Sequence, residues 1–481
     1  MTRYNFIFNK VAVIIFLAAL SSAAAAQGIR TAYFMDNSTS RHQLNPAFQT
    51  TTGYVSIPIL GGIQAEVGTN TLTVDNLVYP SLANDGSLVT FLHSSVGSDQ
   101  FINNLRGNNH MNFDLGLSIL GTAFHTKVGY FSFDVGLKTY GGISLPKGLF
   151  EFAKRGLTAE DGDSYQFDNM NFDASSYVDV ALGYSRQINE RLTVGGKFKV
   201  LLGLADAKIH YSNVNATLSE DEWSMTTHGS ADIVAKGMGG QFNNNNKIDG
   251  VDYDPAFGFS GKGIGVDLGA SYKTTDLFSG VAGEIFDNMT FSAALIDLGF
   301  INWSKADAVK GVVDGETFVF DGFDLDFTDD DETPSLGDQI GDLGDDMKDL
   351  FSFTEVDPAA RKRMLRTTLN LGAEYSMLDD KLSFGLLSST RFGAPNTWSE
   401  LTLSGNYQPI KWFGITLSHS FIHSHFQTFG WAINLSPSWI NFFVGSDYMI
   451  TKVTKQHVPM THAMNVNFGI SVPLSGNTAK N

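Results

Sequence analysis

The chain has 481 residues, with 32 Lys and Arg against 50 Asp and Glu and a formal net charge of -18. Such a surplus of acid leaves no basic patch to neutralise phosphates, which argues against nucleic acid as a partner. With no cysteine anywhere, neither a disulfide nor a thiolate metal site can form, as expected of an exported chain that avoids thiol chemistry.

The first element is a targeting signal. Arg3 and Lys10 precede an apolar run, VAVIIFLAALSSAAAA, that ends in small residues, so residues 1–26 read as a signal peptide cleaved after Ala26. Beyond it no stretch approaches the roughly 20 continuous apolar residues of a membrane helix. That deficit does not exclude the membrane, because barrels hide their hydrophobicity in alternation. Residues 27–52 are polar and irregular and read as an N-terminal hatch or periplasmic arm. Within them Asn45, Pro46 and Ala47 are the candidate hatch turn, since Pro46 forces Asn45 out of helical space.

From residue 53 onward the chain is dominated by a period of two. GYVSIPI, from Gly53 to Ile59, is a first strand. NFDLGLSILG and YFSFDVGLKTYGG form a hairpin, with Phe113, Leu115 and Leu117 on one face and Asp114 on the other. Pro146 opens a short helix in PKGLFEFAKRG. A second hairpin follows in SYVDVALGYSR and RLTVGGKFKVLLG, and a third pair in GIGVDLGASYK and MTFSAALIDLGF. The run from Arg366 to Leu474 then gives seven further strands, in which Leu369, Leu371, Ala373 and Tyr375 typify the apolar face.

Fourteen such strands present an apolar face too extensive for a small soluble core. The fold class is therefore all-β: a transmembrane antiparallel β-barrel of about 14 strands over residues 53–474, with a C-terminal tail at 475–481. Joins near residues 125, 187, 378, 409 and 437 are short. The alternate joins include long loops near 61–110, 144–174, 207–262 and 301–365. Short turns at one rim and long loops at the other are the pattern of an outer-membrane barrel, with the long loops outside.

The polar face of the strands supplies candidate lumen residues: Asp114, Asp134, Lys138, Asp179, Lys197, Lys199, Asp267, Glu374, Glu400 and Asp447. Their mixed signs point to internal salt bridges as readily as to a charge-selective pore. Tyr184, Tyr272, Tyr375 and Tyr407 fall on the apolar face near the shorter joins, as an interfacial girdle would. In the acidic insertion, Leu336, Ile340, Leu343, Met347 and Leu350 are spaced as one stripe of a helix, a candidate loop helix that lies across the mouth or in the lumen. His419, His423 and His425 would share a face near a strand end, and read as rim residues rather than a metal site.

No enzyme signature emerges. The partial GxGxG at Gly261 to Gly265 runs into a strand rather than a helix. We therefore expect no catalytic activity, cofactor or metal.

Several segments in fixed order carry a resemblance. YFMD followed by R-x-x-LNPA (Tyr33 to Ala47), GYVSIPILG, LPKGLFEFAKRG, IDLGFINW and LNLGAEYSMLDDKLSFGLL resemble an outer-membrane barrel family of unknown function from Bacteroidota. More distantly, the NPA segment before a barrel is similar to the FadL-type transporters. That resemblance implies 14 strands, an N-terminal hatch, and passive transport of a hydrophobic or amphipathic small molecule across the outer membrane. The alternative is a non-transporting scaffold or secretion-associated barrel that binds partner proteins through its outer loops. Expected partners are outer-membrane lipid and one of these two.

Overall fold

The computed structural model describes residues 29–81, 88–155, 163–218, 223–242, 247–253, 258–275, 286–320, 352–393, 396–423, 426–450, 452–454 and 460–478. The apolar N-terminal run, the helical stripe from Leu336 to Leu350, and His425 lie outside these residues.

Fourteen antiparallel strands form the wall. They are β1 (Thr52–Ser56, resumed at Ile63–Thr69), β2 (Asn108–His125), β3 (Tyr130–Pro146), β4 (Met170–Gln187), β5 (Leu192–Leu218), β6 (Gly261–Lys273) and β7 (Met289–Trp303). The circuit continues with β8 (Arg361–Met364, resumed at Thr368–Met377), β9 (Leu382–Arg391), β10 (Trp398–Ile410), β11 (Phe413–Ile422), β12 (Phe426–Leu435), β13 (Asn441–Ser446) and β14 (Ala463–Thr478). Each strand pairs with its successor in sequence. β1 pairs with β2 through Ala65↔Leu115 and with β14 through Ala65↔Val466, which closes the barrel and leaves the circuit without an edge.

Alternation decides which face is which. Leu182, Phe198, Leu268, Phe384, Leu403 and Leu417 all point outward and are at least 48% exposed, whereas Ser404, Thr416 and Ser418 beside them are buried in the bore. An outside this apolar is what a transmembrane barrel presents to lipid.

The sequence pattern misplaces some boundaries. It ends the first strand at Ile59 and assigns residues 61–110 to a loop, yet Ile63–Thr69 is the upper half of β1. Between Ser56↔Ser471 and Ile63↔Phe468 the strand advances seven residues against three, so residues 57–62 form an excursion from the ladder. Pro58, with no amide hydrogen to donate, and the Gly61–Gly62 pair are the local cause.

The expected loops 207–262 and 301–365 also hold sheet. β5 runs on to Leu218 and pairs with Trp223–Ala235, which pairs with Ala308–Phe320, so three strands raise the wall beyond the long-loop rim. The helix after Pro146 spans Lys147–Arg155. Its Phe150 packs with Leu72, Phe101, Ile102 and Leu105 in a small cap at that same rim.

The plugged lumen as candidate functional site

The bore is filled by the chain's own N-terminal segment. Residues 29–51 hold two single-turn 3-10 helices, Arg30–Ala32 and Arg41–Gln43. They bury Ile29, Tyr33, Phe34, Met35, Leu44 and Phe48 inside the barrel. A segment this short has no core of its own, so its apolar side chains pack on the wall. Tyr33, Phe34, Leu44 and Phe48 cluster with Leu387 of β9, and Ile29, Ala32 and Met35 with Ala432 and Phe443 of β12 and β13.

Polar contacts tie this hatch around most of the circuit. Asn45, fully buried, accepts from the Ala47 amide at 3.0 Å and donates through Nδ2 to the carbonyls of Ala270 and Ala293, on β6 and β7, at 3.3 and 3.4 Å. Asn370 of β8 donates to the Leu44 carbonyl at 3.0 Å, and Asn434 of β12 to that of Asn37 at 2.9 Å. The wall makes room with glycines. A Cβ at Gly372 would stand 2.9 Å from Tyr33 and one at Gly445 2.8 Å from Ile29, and at Gly195, Gly269, Gly385 and Gly430 it would overlap other hatch atoms. Close backbone approach of this kind is open only to glycine.

All ten sequence-predicted lumen residues face the interior, and most are joined in ion pairs. Lys199 Nζ lies 2.6 Å from both Asp267 and Asp297, and Lys138 Nζ lies 3.0 Å from Asp297 and 3.5 Å from Asp179. Lys197 bonds Asp134 at 2.8 Å. Asp114 is held by Arg366 and, at 2.7 Å, by Arg391. Glu400 and Asp447 face Arg30 of the hatch at 3.2 and 3.5 Å. Glu374 accepts from the Ser383 hydroxyl at 2.6 Å. Buried charges so paired are bound in place, because removing one partner strands the other.

His42 belongs to this network from the hatch side. Its Nδ1 accepts from Lys197 at 2.8 Å while Nε2 meets the Tyr54 hydroxyl at 2.5 Å, which sets the Nε2–H tautomer. Burial, reinforced by the Lys197 ammonium, pushes its pKa down to about 3. Burial raises that of the Tyr33 phenol.

Six members of the site escape the sequence pattern: Arg30, His42, Glu66, Asp297, Arg366 and Arg391. Asp297 is hidden by a bulge, since between Val266↔Leu298 and Leu268↔Leu295 the β7 strand carries one extra residue and Asp297 sits at φ +58°. Ile296 and Asp297 both turn inward there, and the strand's parity reverses. A break of alternation within ALIDLGF is the one local signal. The four girdle tyrosines stand on the outer face near the short-turn rim, where Trp412 and Trp439 are also exposed. His419 points outward, stacked on Phe429 with ring centroids 4.6 Å apart, while His423 lies against the buried Trp398. The expectation that these histidines share a face therefore does not hold.

Above the hatch the bore holds an apolar cluster beside a charged one. Tyr140, Tyr177, Leu201, Ile301, Trp303 and Leu365 form one buried cluster. Beside it lies a cavity of about 510 Å³ touched by Tyr140, Met364 and Leu365 but lined mostly by charged side chains, among them Asp206, Arg361 and Arg363.

A closed fourteen-strand barrel with an apolar exterior and a bore stoppered by its own N-terminal segment defines a plugged transmembrane barrel. Residues 46–447 match the model of a family of unknown function, DUF5723, and the chain belongs to that family. No curated protein matches the sequence. Among solved structures, the toluene transporter TbuX of Ralstonia pickettii is 10% identical with a TM-score of 0.36, the alignment covering 94% of this chain and 96% of that one. The toluene transporter TodX of Pseudomonas putida is 9% identical, with a TM-score of 0.34 and 94% of each chain covered. A FadL homologue of Pseudomonas aeruginosa is 11% identical, with a TM-score of 0.28, covering 94% and 99%.

Proposed function

We propose that the protein is an outer-membrane channel for passive entry of a hydrophobic or amphipathic small molecule, exported by residues 1–26 and gated by the N-terminal hatch. The observation that carries this reading is the order of layers in the bore. A cavity of about 510 Å³ beside an aromatic and aliphatic cluster stands over a segment that seals the lower lumen. Its size suits a small ligand, and its mixed lining suits one with an apolar body and a polar end.

The test is conductance of the refolded barrel in a planar bilayer, combined with entry of an apolar dye and of glucose into liposomes. The full chain is expected to be electrically silent and to admit the dye but not the sugar, and deletion of residues 28–47 should produce steady open steps. A deletion variant as silent as the full chain sinks the hatch, and equal entry of dye and sugar sinks hydrophobic uptake.

The three strands that rise past the outer rim favour a second reading, in which the barrel holds a partner protein. Solubilisation in gentle detergent should then yield a stable complex, and recovery of a lone barrel counts against it.

A further inference from the structure

Among the described residues, most charged clusters of the wall are neutralised by the wall itself. Asp267 and Asp297 have Lys138 and Lys199, Asp114 has Arg366 and Arg391, and Asp173 and Asp206 have Arg361 and Arg363. Glu400 and Asp447 differ. Among the described residues, Arg30 of the hatch is the one side-chain cation within 4.0 Å of either.

The pocket that holds Arg30 is built from three separate parts of the wall. Glu66 of β1 meets its Nη2 at 2.7 Å, Glu400 of β10 meets Nε at 3.2 Å, and Asp447, just past β13, meets Nη2 at 3.5 Å. The three carboxylate side chains are at most 5% exposed. Tyr448 bonds Nη2 through its hydroxyl, sets its ring 5.2 Å from the guanidinium carbon, and donates to Glu400 at 2.7 Å. Arg391 bonds the other oxygen of Glu66 at 2.8 Å, so Glu66 keeps a counter-ion without the hatch. Glu400 and Asp447 keep none. The directed hydrogen bonds are made by Nη2, to Glu66 and Tyr448, while Nε lies near Glu400 as an ion pair without a hydrogen bond. A planar cation beside an aromatic ring and among three carboxylates suits a guanidinium better than a compact ammonium.

We propose that Glu66, Glu400, Asp447 and Tyr448 form a guanidinium receptor in the barrel wall, that Arg30 is its tethered ligand and the latch of the hatch, and that free guanidinium compounds bind there when Arg30 is removed. The proposal rests on the hatch reading above. Withdrawal of the segment strands two buried carboxylates, so the seated state is favoured.

The experiment uses the full chain with Arg30→Ala and Arg30→Lys, refolded and recorded in planar bilayers. Arg30→Ala should open more than about tenfold more often than the parent, the scale expected when one partner of a buried charge pair is truncated. Millimolar methylguanidinium should restore silence, while sodium or methylammonium at the same concentration should not, and Arg30→Lys should remain partly open. Arg30→Ala that stays silent while the deletion of residues 28–47 opens overturns the latch and leaves the channel reading intact. Equal rescue by sodium overturns the receptor. Should Arg30→Ala fail to assemble, Glu400→Gln combined with Asp447→Asn is read in its place. Opening that methylguanidinium no longer reverses supports the receptor, and silence overturns it. A deletion that is itself silent is the failure of the hatch.

Discussion

His42 shows how one side chain can make the seating of the hatch depend on pH. It lies in the hatch, outside the wall strands, with Lys197 at 2.8 Å on one nitrogen and the Tyr54 hydroxyl on the other, and Asp134 at 3.9 Å. Its pKa is about 3 when seated, against 6.5 for a free histidine. A depressed histidine pKa means that the unseated state binds the extra proton between these values. Stability of the seated state is therefore fully present above pH 6.5 and falls as the pH drops toward 3, by at most about 1.4 kcal/mol per unit. We expect protease accessibility of the hatch to rise between pH 6.5 and 4, and His42→Gln, which keeps an acceptor and a donor without a titrating charge, to flatten that rise. An unchanged slope in the variant would assign the effect to other groups.

At the scale of the element, the inward glycines are what let a β-strand serve as a wall for the hatch. Gly385 of β9 faces Phe34 so closely that a Cβ would overlap the ring, whereas outward Gly405 of β10 has its nearest neighbour, Phe384, at 3.8 Å. Gly385→Ala is expected to destabilise hatch docking by about 1–3 kcal/mol, the usual effect of overpacking, with the barrel itself still folded. Gly405→Ala should leave docking unchanged. Limited proteolysis of the hatch alongside the heat-dependent gel shift of the barrel separates the two, and equal loss in both variants would refute the seat. Strand parity also explains how much was legible beforehand. Alternation marks the lipid face over most of the strands, and with it Lys197, Lys199, Asp267 and Glu400 on the inner face, because lipid imposes a period of two. It failed at Asp297, where a single extra residue reverses parity, and at Glu66, which lies beyond an excursion that reads as a loop. The hatch contacts were not legible at all. Residues 29–51 have no period, and their partners lie up to 432 residues away, as with Thr39 and Ser471.

For the molecule as a whole, the question is which solvent the outer face was selected for. Leu403 on β10 is 48% exposed and stands seven residues from the short-turn end of its strand at Ile410. Leu378 is 64% exposed in a turn at that rim. In water, two half-exposed leucines would accept arginine alike, since surface substitutions away from special features stay within about 0.5 kcal/mol. In a bilayer the two sites differ by depth. Arginine at the midplane costs about 2–4 kcal/mol and near the interface about 0–1. Leu403→Arg should therefore lower the stability of the barrel folded into phospholipid vesicles, as measured by urea titration, and Leu378→Arg should barely change it. The contrast should vanish in detergent micelles, whose small apolar core lets the arginine reach water. Equal, small effects in vesicles would mean that the face does not meet lipid at all, and the hatch, cavity and latch would then need a different medium to act in.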